Sequence, residues 1–436
     1  MPFHENISEY IEKICNQIRW KKIRPVIARE LENHIDDQIQ SYISGGMAPD
    51  EAIEKALIEM GDPIEIGSAL DRTHRPQPEW SMLILVAAAL LIGLAIRMFV
   101  SPINEFGYHL LPDSLLAIAI GTVCMTAVYF FDFSLIGKYP KLTQALLILL
   151  NLAVLILSAY NNSALRYLHY VVLLLPIAYA AFLYIQNKKG YKGIVLSLIA
   201  AFVLAGIPLA GSLLPETLLV FLSCLIMLNI AVAKDWFNSK AALGSVLINL
   251  SALAGAVAVA LIFTRIEGIT RRFGIENYEL SNLIKTLIRD SKLFGQGDPV
   301  LYNGLPFSYD ERYLLVYLTH RFGWIVFFAI VTVLSAFIVR GFHVNFKQTN
   351  MLGLFISTAV LLSFTFQTII YIMSNLGFPF FSAITLPFIS YGKTVTVVNM
   401  ALFGLMLSVF KTRALRFNNS YDPANSLSKK SPHSSN

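Results

Sequence analysis

Two short stretches combine residue types that can move protons and hold anions. In "SYDERY", Asp310, Glu311 and Arg312 are consecutive. A carboxylate there could act as a general base on a lipid-linked substrate; the plain alternative is an acid–base cluster that ends a helix at an interface. In "LPFISYGK", Pro387, Ser390, Tyr391, Gly392 and Lys393 crowd the mouth of an apolar run. Ser390, Tyr391 and Gly392 suggest backbone at membrane depth lining a polar cavity. Lys393 could bind a phosphate, or could simply snorkel to the interface.

Other polar groups fall inside or beside apolar runs: Arg97, Arg166 with His169, Glu216, and His320 with Arg321. Such groups are functional candidates by default, although Arg97 and Arg166, near the outer face, could also snorkel. His34, Asp36 and Asp37 read more simply as a solvated helix face than as metal ligands, so no metal site is assigned. HExxH, Walker, GxSxG and CxxC patterns are absent from the sequence, so the common soluble-enzyme devices are not in use.

The elements that must position these residues are membrane helices. The chain has 436 residues, 56% hydrophobic and only 14% charged, with a mean hydropathy of +0.60; a soluble chain carries about a quarter charged residues. Apolar runs long enough to cross a bilayer follow one another, and ten spans are expected, at about 81–100, 115–133, 142–160, 166–185, 193–213, 216–233, 243–264, 313–339, 351–373 and 386–410. The fold class is therefore an all-α polytopic membrane protein. Cations gather in alternate short loops (Lys138 and Lys141; Lys188, Lys189 and Lys192; Lys234 and Lys240; Arg340 and Lys347) and in the tail at Lys411, Arg413 and Arg416. The positive-inside rule then puts both termini in the cytoplasm. The net charge of +6 belongs to those loops and does not point to nucleic acid.

Three segments lie outside the membrane. Residues 1–80 have helical apolar spacing and helix stop signals at Gly45, Gly46 and Gly61, and read as a small cytoplasmic helical domain. Residues 265–312 form an external loop, in which "YELSNLIKTLIRD" has the period of an amphipathic helix lying on the membrane surface. Residues 411–436 are polar, Ser- and Asn-rich, and are expected to be a disordered tail. The N-terminus shows no cleavable signal, and the three scattered cysteines (Cys15, Cys124, Cys224) support neither disulfides nor zinc.

These motifs resemble a known family. "LPFISYG…NM…GL.LS" is similar to the signature of the SEDS proteins (shape, elongation, division, sporulation: FtsW, RodA and SpoVE). "YELSNLIKTLIRDSKLFGQG" and "LP…DE…YLTHRFGW" resemble the family's large loop and its approach to span eight, so the resemblance covers about 81–410. The pattern departs from the family where His320–Arg321 replace an acidic pair, where Lys393 replaces a second glycine, and where the family aspartate falls at Glu311 counting forward and at Arg312 counting back, with Asp310 the nearest aspartate, which leaves Asp310 and Glu311 as candidates. The head looks like the helical prefix domain found before some permease-like proteins of Gram-positive bacteria.

The resemblance implies a peptidoglycan glycosyltransferase that polymerises lipid II at the outer face of the plasma membrane, in division, elongation or sporulation. The transfer would be inverting, with Asp310 or Glu311 as the base. Lys393, Ser390, Tyr391, Arg312, Arg97 and Arg166 would bind substrate. The undecaprenyl diphosphate leaving group would be met by cations, from Lys, Arg or a divalent cation. A class B penicillin-binding transpeptidase is the expected partner. The alternatives are a flippase or transporter of the lipid-linked precursor, and a catalytically degenerate scaffold regulated by the cytoplasmic head.

Overall fold

The computed structural model describes residues 2–21, 23–74, 78–100, 110–238, 244–246, 248–250, 253, 255, 280–297, 312–378, 384–390 and 392–411. Among them every regular element is helical. The chain divides into two compact units, Glu79–Phe410 and one built on Met1–Pro78.

The smaller unit has four helices: α1 (Pro2–Gln17), α2 (Arg24–Ser44), α3 (Pro49–Met60) and α4 (Pro63–His74). Pro49 opens α3 and Gly61, at φ 89°, ends it. That left-handed backbone suits glycine because a Cβ would be strained there. Asp62 Oδ1 accepts from the Ile64 amide at 3.0 Å, capping α4. Ile7, Ile11, Ile35, Ile39, Ala52 and Ala56 form one core, and Ile18, Ile23 and Ile27 a second under Trp20. Asp71 ties α4 to the end of α1, accepting from the Arg19 amide at 2.8 Å.

The larger unit holds α5 (Trp80–Val100), α6 (Leu110–Phe130), α7 (Ser134–Lys138), α8 (Pro140–Tyr160), α9 (Asn162–Val171), α10 (Leu175–Ile185), α11 (Gly190–Ala210) and α12 (Leu214–Ala233). Residues 280–289 form α13, followed by α14 (Leu314–Phe322), α15 (Trp324–Asn345), α16 (Met351–Asn375) and α17 (Lys393–Phe410). Nine helical stretches among the described residues are long and apolar enough to cross a membrane, α9 and α10 counting as one. The protein is a polytopic helical membrane protein. The expected seventh span, 243–264, falls mostly outside the described residues.

Two expected boundaries move. Span eight does not start at 313: the apolar run is cut at Gly323, where φ is 98°. A Cβ at Gly323 would come within 2.5 Å of the Leu293 carbonyl oxygen, so the glycine admits a crossing strand of loop where a helix would otherwise continue. Trp324 then opens α15 as the spanning helix, and α14 is a separate short helix. Span ten starts at Lys393 rather than 386, since residues 384–390 are non-helical yet buried. Pro387 explains that break, having no amide hydrogen and disfavouring helix at the residue before it.

The core centres on α16, buried along most of its length from Leu352 to Asn375. Asn350 starts it, accepting from the Leu352 amide at 2.9 Å. By contrast α8 faces lipid: its one fully buried residue is Asn151, whose amide donates to the Val171 carbonyl at 3.3 Å. A polar side chain thus supplies the interhelical bond where apolar packing is thin.

Candidate functional site

The site is assembled at the end of the bundle where α5 finishes and α17 begins. There the chain from Ile384 to Ser390 turns back into the protein without helix. These residues are buried, so their backbone groups must find partners inside the protein. Ser390 closes the turn on itself, its hydroxyl oxygen accepting from the Leu386 amide at 2.7 Å. The Ile389 amide donates to the Pro387 carbonyl at 2.8 Å.

Phe388 adopts φ 63°, a left-handed conformation that is unfavourable for a residue with a bulky side chain. Its ring fixes that geometry by packing among Phe337, Phe364 and Phe403, with centroids 5.5, 5.2 and 5.9 Å away. The aromatic cluster therefore anchors one side of the segment. Strain held in place by surrounding structure is a mark of functional segments.

Arg97 is 1% exposed. It does not snorkel; its guanidinium turns inward and donates to the carbonyls of Ser390 at 2.7 Å and Ile389 at 3.4 Å. Lys393, the first residue of α17, pairs with Asp113 near the start of α6 at 2.8 Å. A lysine at a helix N-terminus adds to the positive end of the helix dipole. Asp113 answers that concentration of positive charge, and both side chains remain about half exposed. The sequence reading missed Asp113. Its only signal was a carboxylate in the outward-facing "LLPDS", and nothing local joined it to a lysine 280 positions away.

Asp310, Glu311 and Tyr391 lie outside the described residues. Arg312, next in sequence, is exposed, and its carbonyl accepts from the Asn375 amide at 2.9 Å. Asn375 also accepts from the Val316 amide at 3.0 Å, and the Tyr371 hydroxyl accepts from the Leu315 amide at 3.2 Å. The end of α16 thus supplies the first turn of α14 with partners. Arg312 is delivered to the same end of the bundle as Lys393.

The described part of the loop before α14, residues 280–297, packs around this frame. α13 is amphipathic as expected, but its apolar face does not lie on lipid: Ile284 and Leu287 pack on Tyr313 and Val316. Ser281 donates to the Gly377 carbonyl. The Gly297 amide donates to the His320 carbonyl at 2.8 Å and the Trp324 amide to the Lys292 carbonyl at 3.1 Å. His320 and Arg321 were expected within span eight. They sit in α14 before it, where Arg321 donates to Gln296 at 2.5 Å.

A second polar group lies at the start of α12. Glu216, 1% exposed, contacts the His169 ring, while its other oxygen is buried without a hydrogen-bond partner. Arg166 is exposed, one turn before His169 on α9. In the head, His34, Asp36 and Asp37 are exposed. Among the described residues no three His, Cys, Asp or Glu side chains converge as a metal site would require.

No family model matches the sequence, and no curated protein matches it. Solved structures do. One is a chain of a peptidoglycan synthase complex studied for the coordination of polymerization and crosslinking, at 18% identity and a TM-score of 0.57, covering 77% of this chain and 98% of that one. Another is the Thermus thermophilus rod shape determining protein RodA, at 16% identity and a TM-score of 0.48, covering 77% and 97%. With nearly the whole of the synthase chain matched, the protein described here shares the fold of a peptidoglycan synthase subunit.

Proposed function

We propose that this protein belongs to the SEDS family and is a glycosyltransferase that extends glycan strands from lipid II at the outer face of a bacterial plasma membrane. The observation that carries the reading is the buried, non-helical segment 384–390 that presents Lys393 at the mouth of α17. A cation fixed there suits the diphosphate of a lipid-linked donor, whose negative charge grows as it leaves. Asp310 or Glu311 takes the proton of the attacking hydroxyl. Arg312 borders the same end of the bundle, and Ser390, Tyr391 and Arg166 complete the set of residues assigned to substrate, while Arg97, buried on the Ser390 and Ile389 carbonyls, supports that backbone from within. The synthase fold supports the assignment, and a crosslinking transpeptidase of the penicillin-binding class is the partner this reading implies. The head resembles the prefix domain of some permease-like proteins of Gram-positive bacteria, and this reading gives it regulation or partner binding.

The topology fits an outward-facing site. Arg97, near the end of α5, meets the chain just before α17. The start of α5 and the end of α17 therefore share the opposite end of the bundle. The membrane unit is then entered and left on one face, which requires an even number of crossings. That supports a tenth span over 243–264, with the lysine-rich loops on the cytoplasmic side.

The test is polymerisation of purified lipid II by the reconstituted protein, compared with Asp310→Ala, Glu311→Ala and Lys393→Met. Polymer from the wild type, and its loss in Lys393→Met and in one carboxylate variant, is the expected result. Movement of labelled lipid II across liposomes without polymer would establish the transporter. Absence of both activities, with a cellular phenotype that depends only on residues 1–80, would establish the scaffold.

A further inference from the structure

Gly93 and Arg97 are four residues apart on α5, so they share one helix face. That face meets the segment before α17. A Cβ on Gly93 would lie 2.8 Å from the Ile389 carbonyl oxygen and 3.1 Å from its Cα. Only glycine lets the two backbones approach this closely. One turn further on, Arg97 donates to the carbonyls of Ser390 and Ile389. The glycine sets the distance and the arginine holds it. On the other side, Phe388 is fixed among Phe337, Phe364 and Phe403.

The grip is transmitted to Lys393. The Gly392 carbonyl already accepts from the Thr396 amide at 3.0 Å, so helix begins within two residues of the clamped carbonyls. Little slack separates Ser390 from the lysine. A buried guanidinium is a costly way to satisfy two carbonyls, since ionic groups in an interior rarely outdo apolar packing in stability. Its advantage is geometric: a rigid planar group whose one nitrogen, Nη2, reaches both carbonyls.

We propose that Gly93 and Arg97 are positioning residues, which fix the backbone at Ile389 and Ser390 and thereby place Lys393 for the anionic group of the substrate. This rests on the function proposed above. Arg97 itself then acts through the backbone rather than by touching substrate.

Two readouts test it in the full-length protein. The first is independent of activity. In a chain whose Cys15, Cys124 and Cys224 are replaced, Asp113→Cys and Lys393→Cys are joined by a short bis-methanethiosulfonate reagent. The clamp variants Arg97→Leu, Arg97→Lys and Gly93→Ala should slow that cross-linking about twofold or more, because a displaced or loosened segment lowers the effective concentration of one thiol at the other. Arg97→Lys keeps the charge but not the rigid planar group that fixes Nη2, and should slow cross-linking less than Arg97→Leu but still below the wild-type rate. If Arg97→Leu does not fold, Gly93→Ala still displaces the segment with the arginine intact. The second readout is lipid II polymerisation with Asp113 and Lys393 native. There kcat should fall by about tenfold to a hundredfold with KM little changed, because the contact strengthens in the transition state.

Cross-linking at the wild-type rate in Gly93→Ala and in both Arg97 variants overturns the proposal. Slowed cross-linking with unchanged polymerisation overturns its link to the reaction. Slowed cross-linking in a chain whose wild type makes no polymer upholds the positioning and overturns the proposed function instead.

Discussion

Lys393 and Asp113 meet at 2.8 Å across the first turns of two helices that are distant in sequence. Half-exposed pairs of this kind contribute little to stability, about 0–1 kcal/mol. The pair is better understood as a cation held with its counter-ion until another anion arrives. Lys393→Met should therefore shift thermal unfolding only slightly, within about 1 kcal/mol, while lowering lipid II polymerisation about tenfold or more. A large loss of stability with unaltered polymerisation would show the lysine to be structural.

Glu216 and His169 should be coupled far more strongly. His169→Ala leaves a carboxylate buried without its partner, at a cost of about 3–5 kcal/mol. Glu216→Gln removes the charge while keeping the shape, and should cost less. The double variant should be no worse than His169→Ala alone, so the cycle is non-additive. Thermal unfolding in nanodiscs measures all three, and additive losses would mean that the contact carries no coupling.

Phe388 makes an inverted prediction. Phe388→Ala loses the aromatic cluster at about 3–5 kcal/mol and keeps the left-handed strain. Phe388→Gly loses the same packing but relieves about 1 kcal/mol or more of backbone cost. The glycine variant should be the more stable of the two, the reverse of the usual order. Unfolding measurements that rank alanine above glycine would show the conformation to be unstrained.

In the head, burial raises the Cys15 thiol above its ordinary value, against a smaller opposing effect of Arg24. The thiol also donates to the Arg24 carbonyl at 3.7 Å. Because folding favours the protonated thiol, its contribution to stability is present below the unfolded value of about 8.5. It fades as pH rises through the higher folded value. Alkylation at pH 8, read by peptide mass spectrometry, should be slow at Cys15 in the native protein and should quicken on unfolding. Equal rates in both states would contradict this.

The membrane helices were legible because apolar length is a direct requirement of the bilayer, and seven of the nine described spans fall close to where apolar runs placed them. The break at Gly323 was not legible. A single glycine beside two charged residues does not interrupt hydropathy, and only the nearby Leu293 backbone makes it necessary. The non-helical character of the chain around Pro387 was legible, since proline and glycine bracket it. The inward turn of Arg97 was not, because a long cationic side chain at a span end has several outlets and its acceptors lie almost 300 residues away. α13 was legible as a helix from its period. That its apolar face meets Tyr313 and Val316 rather than lipid depends on how the loop returns. Local chemistry is written along the chain, while the choice of partner is made by the assembled bundle.

The two ends of α5 are both fastened. At the far end Gly93 and Arg97 grip the backbone that leads to Lys393; at the near end Arg340 donates to Ser81 at 2.9 Å and approaches Glu79 at 3.8 Å. A helix of 21 residues is about 30 Å long and stiff along its axis. Fastened in this way it behaves as a push-rod. A rod gripped at both ends holds the backbone that leads to Lys393 at a fixed distance from the Arg340 contacts at the other end of the bundle.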